Sequence, residues 1–138
     1  LRQENVAGQL MRIQELMKNS LVIMAMLVTA YRPALAGEAD VLNVDVSCNS
    51  DSICRFDVTV KHDDEGWKHF ANRWEVLSPD GDILATRVLA HPHDNEQPFT
   101  RSLGNVRIPS DLVEVVVRAH DLEHEYGGKE FVVRLPSR

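Results

Sequence analysis

The sequence predicts an all-β domain, a single antiparallel β-sandwich of about seven strands preceded by a helical leader. Short stretches in which apolar and polar residues alternate recur at intervals of roughly ten residues along most of the chain. Turn-forming residues separate these stretches, and no stretch between them has the length and periodicity of a crossover helix. Strands joined by tight turns favour two packed antiparallel sheets over an α/β arrangement.

The leader is predicted at residues 17–36, which have the layout of a secretory signal peptide. Lys18 supplies positive charge, residues 21–30 form an apolar run, and Ala34-Leu35-Ala36 is a small-x-small cleavage pattern before Gly37. The run is about half of the ~20 residues that a membrane-spanning helix needs, so we expect no stable membrane anchor. The residue directly after the cleavage site is Gly37 and not a cysteine, so the site offers no attachment point for a lipid. We therefore expect the mature domain, residues 37–138, to be periplasmic or secreted.

Residues 1–16 precede the leader and carry no methionine at position 1. We interpret them as an over-long N-terminal extension, with the true start at Met11 or Met17. The alternative is an amphipathic helix, whose apolar positions would be Val6, Leu10, Ile13 and Met17. The pattern assigns this segment no function.

The charge balance restricts the classes of partner. The formal net charge is −6, and the predicted leader carries more basic than acidic residues, so the mature domain is more acidic still. Nucleic acids and anionic membranes both require a basic face, so neither is an expected partner. An acidic domain is compatible with cations. All six histidines also lie after Ala36.

The first two strands form a hairpin that we expect a disulfide to join. Cys48 and Cys54 flank a polar turn, and an even pair of cysteines in a small exported domain is more often a disulfide than a metal site. The predicted buried sides of the two strands are Leu42, Val44, Val46 and Cys48, and Cys54, Phe56, Val58 and Val60.

The segment after strand two breaks the alternation with an acidic run and Gly66. Trp67, Phe70 and Trp74 are spaced three and four apart, which predicts a short helical turn whose apolar side covers the core. Strand three begins near Trp74 and ends in the hairpin turn at residues 79–82. Later strands are expected over residues 83–90, residues 99–108 with an interruption at Gly104, residues 113–118 and residues 131–135.

This order of elements resembles the immunoglobulin and fibronectin type III sandwiches. Trp74 falls on strand three, where immunoglobulin domains place their buried tryptophan. The cysteines join strands one and two instead of two and six, and no tyrosine precedes strand six, so the resemblance implies an architecture and no activity. The stretches HPHDNEQPFTRSL (91–103) and RAHDLEHEYGG (118–128) are also similar to small exported bacterial proteins of uncharacterised function, which implies bacterial export alone.

All six histidines are predicted to gather at one end of the sandwich. In an up-and-down series of antiparallel strands, the second, fourth and sixth connections share one end, and these connections contain His62, His69, His91, His93, His120 and His124. Acidic residues accompany them in the same loops. Imidazoles beside carboxylates suit zinc or copper, with carboxylates orienting the ring nitrogens.

The predicted ligands are His91, His93 and His120, with His124 or His62 as a fourth ligand or a gate. Pro92 fixes its own φ and holds its histidine neighbours in a narrow range of directions. Calcium is the alternative ion, since hard oxygen ligands are abundant in these loops. The outer or alternative calcium ligands are Asp94, Glu96, Asp121 and Glu123.

Catalysis is less favoured than binding. The sequence has no G-x-S-x-G, no phosphate-binding glycine loop and no H-E-x-x-H. A hydrolytic metal centre would need an open coordination position and a nearby base such as Glu96 or Glu123. The rival to metal binding is an adhesion or partner-binding module of the cell envelope that uses the same loops without a metal.

Overall fold

The computed structural model describes residues 8–12, 14 and 37–137, and the chain divides into two units, Leu1–Ala34 and Leu35–Arg138. In the first unit, residues 8–12 and 14 are helical and exposed. The predicted signal peptide, residues 17–36, lies outside the described residues. Among the helices that are described, none combines the length and apolar character needed to cross a membrane.

Seven strands form the second unit, and they pair in two antiparallel sheets. One sheet has the order β1-β2-β5 and the other β4-β3-β6-β7. This confirms the predicted all-β sandwich. The strands are β1 (Asp40–Cys48), β2 (Ile53–Lys61), β3 (Ala71–Leu77), β4 (Ile83–Val88), β5 (Phe99–Arg107), β6 (Glu114–Asp121) and β7 (Phe131–Arg134).

The sheet order differs from the constant-type immunoglobulin sandwich in the place of the fourth strand. There the fourth strand belongs to the sheet of strands one, two and five. Here β4 pairs with β3 instead, with Trp74 opposite Arg87. Trp74 is fully buried between the sheets, as predicted, and packs in one core with Phe56, Phe99 and Ile108.

The predicted buried face of β1 is wrong at Leu42. Val41 pairs with Val60 and Asn43 with Thr59, which leaves Leu42 as an extra residue in a β-bulge. A bulge shifts the side-chain alternation by one residue, so Val41 and Val44 are buried while Leu42 is 40% exposed.

The predicted helical turn between β2 and β3 is also wrong. The amide N–H of Glu65 donates to the carbonyl oxygen of His69 at 2.8 Å and that of His69 to Gly66 at 3.3 Å, closing a tight turn. Trp67 is 69% exposed and meets Phe70 edge-on at 5.8 Å. The buried side chains of this segment include His62 and His69. The loop therefore buries the imidazole rings of His62 and His69, whereas the spacing predicted that the indole ring of Trp67 would cover the core.

The predicted disulfide between Cys48 and Cys54 is confirmed. The two residues are directly opposed on β1 and β2, with their Cα atoms 4.0 Å apart. Because the closed loop is short, replacing both cysteines with alanine should lower the free energy of unfolding by about 2 kcal/mol. Urea denaturation of the variant and the parent measures this difference, and a loss below about 0.5 kcal/mol would contradict the entropic account.

Candidate metal centre

Three loops meet at one end of the sandwich, which we call the histidine pole; they cover residues 62–70, 89–98 and 122–130. The ring centroids of His62 and His69 are 4.7 Å apart, and those of His69 and His124 are 5.2 Å apart. Antiparallel pairing brings these loops together because alternate connections return to the same end. The prediction that histidine-bearing loops converge is confirmed.

Four side chains at the pole form what we call the imidazole cluster: His62, His69, Asp121 and His124. Nε2 of His62 lies 3.2 Å from Nε2 of His69, which lies 3.3 Å from Oδ1 of Asp121. Nδ1 of His124 lies 3.1 Å from the same Asp121 oxygen. Ligands at ~2.0–2.1 Å from a tetrahedral Zn²⁺ are separated by roughly 3.3–3.4 Å. The distances from Nε2 of His69 to His62 and to Asp121 are therefore close to those in a zinc ligand set.

The buried part of the cluster follows from the strand alternation. Val58 and Val60 point into the core from β2, and His62 is the next inward position after them. On β6, Val117 and Ala119 point inward in the same way, so Asp121 is the last inward residue of that strand. His62 is 1% exposed and Asp121 0% exposed, so both end in the space between the sheets.

The ring nitrogens of His62 and His69 lie close to several hydrogen-bond acceptors. His62 places Nδ1 2.5 Å from Oδ1 of Asp64 and Nε2 2.8 Å from the carbonyl oxygen of Gly37, and both oxygens are acceptors. Nε2 of His69 lies between His62 and the Asp121 carboxylate. Oδ2 of Asp121 is buried and has no hydrogen-bond partner among the described residues. A cation among these atoms would supply the missing partner.

The most buried residue of the cluster, Asp121, carries a negative charge. Burial acts to raise the pKa of Asp121, but the amide N–H groups of His124 and Glu123, at 2.7 and 2.9 Å, outweigh it and lower the pKa, helped by the charges of His62 and His124. Asp121 is therefore a buried carboxylate at neutral pH. Burial also opposes the charged form of His124, yet Asp121 and the Gly37 carbonyl raise its pKa.

Asp64 fixes the orientation of His62 through the ring nitrogen that does not face His69. Its side chain is fully buried, and Oδ1 accepts from Nδ1 of His62 and from the amide N–H of Ala71, the latter at 3.1 Å. Oδ2 accepts from the amide N–H of His93 at 2.6 Å. A carboxylate on the far nitrogen of an imidazole is the usual partner of a metal-bound histidine, because it fixes the ring direction.

His91 and His93 lie together but beside the cluster. Their ring centroids are 4.7 Å apart, and His93 is 4% exposed and stacks on Phe99 at 3.9 Å. Burial lowers the pKa of His93, together with the charges of Arg101 and His91. Nδ1 of His91 lies 2.9 Å from the carbonyl oxygen of Pro92. In the described part of the chain, the groups of three or more potential ligands include neither histidine.

His120 lies on the outer face of its sheet, apart from the cluster. Its Nδ1 is 2.7 Å from Oδ1 of Asn72 and 3.2 Å from Arg73, and its ring meets that of Tyr126 at 4.7 Å. β6 continues to Asp121, three residues beyond its predicted end, and the alternation then turns Asp121 inward and His120 outward. The expected grouping of His91, His93 and His120 is therefore not the one that the structure assembles.

The carboxylates proposed for calcium have separate partners. Asp94 accepts from the amide N–H of Gly66 at 3.0 Å, and Glu96 pairs with Arg101 at 2.8 Å. Glu123 is exposed and lies 3.7 Å from Nδ1 of His69, where it forms a second potential ligand group with His69 and His124. Asp121 belongs to the imidazole cluster. An ion at this pole would thus meet a mixed nitrogen and oxygen ligand set.

Sequence reasoning placed His69 at the pole but did not include it among the candidate ligands, and it placed Asp121 in an outer role. The inward alternation of β6 carried a signal for Asp121. No comparable signal pointed to His69, because its direction depends on the tight turn before it.

Fold and site together define an all-β sandwich with a buried histidine and aspartate cluster at one pole. The chain is 41% identical over 96 residues to a protein of Halomicrobium mukohataei described as "Putative lipoprotein", an alignment that covers 70% of this chain and 47% of the relative. The chain thus spans about half the length of the curated relative it matches. No family model matches the chain. No solved structure matches it either.

Proposed function

We propose that this protein is an exported cell-envelope domain that binds a divalent transition metal, Zn²⁺ or Cu²⁺, at the imidazole cluster. The observation that carries the proposal is the convergence of His62 Nε2, His69 Nε2 and an Asp121 oxygen, all within 4.8 Å of one another on fully or nearly fully buried side chains. Buried ionisable groups in such proximity are costly unless paired or bound to a metal.

The ligand types favour a transition metal over calcium. Imidazole nitrogens suit zinc and copper, whereas calcium takes six to eight oxygen ligands. Two imidazoles and one carboxylate make three protein ligands, which leaves one position of a tetrahedral site open. His124 lies 3.1 Å from Asp121 but belongs to the second group, with His69 and Glu123. The Asp121 carboxylate offsets part of the charge of the ion.

Export and envelope location are supported by two independent features. Residues 17–36 have the layout of a signal peptide. The Halomicrobium relative carries the description "Putative lipoprotein", which fits an envelope location. Both cysteines of the present sequence form the disulfide between β1 and β2.

A metal-free partner-binding module is the second candidate, and Trp67 favours it. Trp67 is 69% exposed at the histidine pole, and tryptophan is among the residues that most often dominate binding at protein interfaces. Its ring meets that of Phe70 edge-on at 5.8 Å, so most of the indole faces solvent. This candidate predicts no dependence of partner binding on metal ions.

Calorimetric titration of the purified protein with Zn²⁺, Cu²⁺ and Ca²⁺ tests the proposal. We expect one site for Zn²⁺ or Cu²⁺, lost in His62→Ala and retained in the control variants His91→Ala and His120→Ala. Binding of Ca²⁺ alone would overturn the proposal in favour of the carboxylates. Binding lost in His91→Ala or His120→Ala but not in His62→Ala would overturn the assignment of the site. No binding of any ion would leave the partner-binding module.

A further inference from the structure

We infer that removal of the signal peptide completes the metal site, because the α-amino group it creates on Gly37 becomes a ligand of the same ion. This inference rests on the proposed function and on cleavage between Ala36 and Gly37. It makes the processed chain, and not the precursor, the form that binds metal tightly.

The backbone of Gly37 is in contact with the imidazole cluster. It is buried, and its carbonyl oxygen accepts from Nε2 of His62 at 2.8 Å. A Cβ atom on Gly37 would overlap the imidazole ring of His124, so the backbone of Gly37 lies directly against that ring. Its φ of 147° is also one that residues with side chains rarely adopt. The backbone of Gly37 thus lies against two of the four cluster residues.

Backbone bond lengths keep the nitrogen of Gly37 close to the cluster as well. The nitrogen and the carbonyl oxygen of one residue are three bonds apart, which limits their separation to about 3.6 Å. A metal bound by both atoms closes a five-membered ring with Cα and the carbonyl carbon. The carbonyl oxygen already lies 2.8 Å from Nε2 of His62, so the ring would form beside a candidate ligand atom.

Cleavage changes the chemistry of that nitrogen. In the precursor it is a peptide amide, whose lone pair is delocalised into the carbonyl group of Ala36 and is a weak donor. Hydrolysis adds one water across the Ala36–Gly37 bond, leaving a carboxylate on Ala36 and a primary amine on Gly37. The lone pair of a primary amine is available to a metal ion once that ion displaces the amine's proton.

The matched pair for the test is the processed protein and a variant with one alanine inserted between Ala36 and Gly37. Mass spectrometry first establishes the amino terminus of each exported protein. The inserted residue restores an amide at Gly37 and moves the free amine one residue away. We expect Zn²⁺ binding to the insertion variant to be at least about 10-fold weaker by calorimetry. An alanine inserted after Gly81, in the β3–β4 turn, serves as the control and should leave the affinity unchanged.

The outcomes separate this inference from the proposed function. Equal and tight Zn²⁺ binding by both proteins would overturn the amine as a ligand and leave the imidazole cluster as the site. A mature terminus other than Gly37 would overturn it as well. No Zn²⁺ or Cu²⁺ binding by the processed protein would remove the proposed function and this inference together. Selective acetylation of the α-amine near neutral pH gives a second reading, with the same expected loss.

Discussion

Replacing His69 with alanine is expected to weaken Zn²⁺ binding at least about 100-fold. His69 provides the central nitrogen of the cluster, 3.2 Å from His62 Nε2 and 3.3 Å from Asp121 Oδ1. Loss of an orienting partner behind a ligand typically costs 10–100-fold in metal affinity, and loss of a ligand should cost no less. Calorimetry of the variant and the parent, in the same buffer, measures the change.

His93→Ala is the matched control for this prediction. His93 is 4% exposed against 6% for His69, and it lies at the same pole, so both truncations remove a buried imidazole. Their costs in stability should be similar, whereas only His69→Ala should lose the metal. If both variants lost Zn²⁺ to the same degree, the effect would come from disturbed loops and not from a missing ligand.

The alternation of apolar residues and the turn chemistry were enough to predict the fold and the pole. Both are local properties of the chain, and antiparallel connection then forces alternate loops to one end. The same local evidence failed at Leu42, because a bulge moves one residue out of register without any change in composition.

Which residues form the imidazole cluster depended on finer detail than the sequence pattern supplied. His120 and Asp121 are neighbours, and a strand that extends to Asp121 turns one of them to the outer face and the other to the core. Continuing the inward series of β6 one step further would have selected Asp121. The His91-Pro92-His93 motif led to the prediction that both histidines are ligands, yet His93 packs against Phe99 in the core.

Strand ends are well suited to hold this cluster. His62 directly follows β2 and Asp121 ends β6, so their Cα positions are fixed by paired backbone, and Asp64 fixes the ring of His62. A rigid setting limits the entropy lost when the ion binds, because few side chains must be ordered. His124 is more exposed and lies in the β6–β7 loop, where it contacts Asp121 at 3.1 Å.

The largest loss of stability is expected from Trp74→Ala. Trp74 is fully buried at the centre of the core, and truncation of a buried tryptophan typically costs 3–5 kcal/mol. A domain of this kind has a free energy of unfolding of about 5–15 kcal/mol, so the variant should be only marginally folded at the low end of that range. Urea denaturation of the parent and the variant measures the difference, and a loss below about 1 kcal/mol would contradict the central place of Trp74.

The same variant links the core to the metal site. A ligand that binds only the folded state, present at 100 times its Kd, stabilises that state by about 2.7 kcal/mol. Zn²⁺ at that level should therefore restore most of the stability that Trp74→Ala loses. At the same Zn²⁺ concentration the double variant Trp74→Ala/His69→Ala should gain at most about 0.4 kcal/mol, whereas Trp74→Ala/His93→Ala should gain about as much as Trp74→Ala. Equal recovery in the two double variants would mean that Zn²⁺ stabilises the domain from somewhere other than the imidazole cluster.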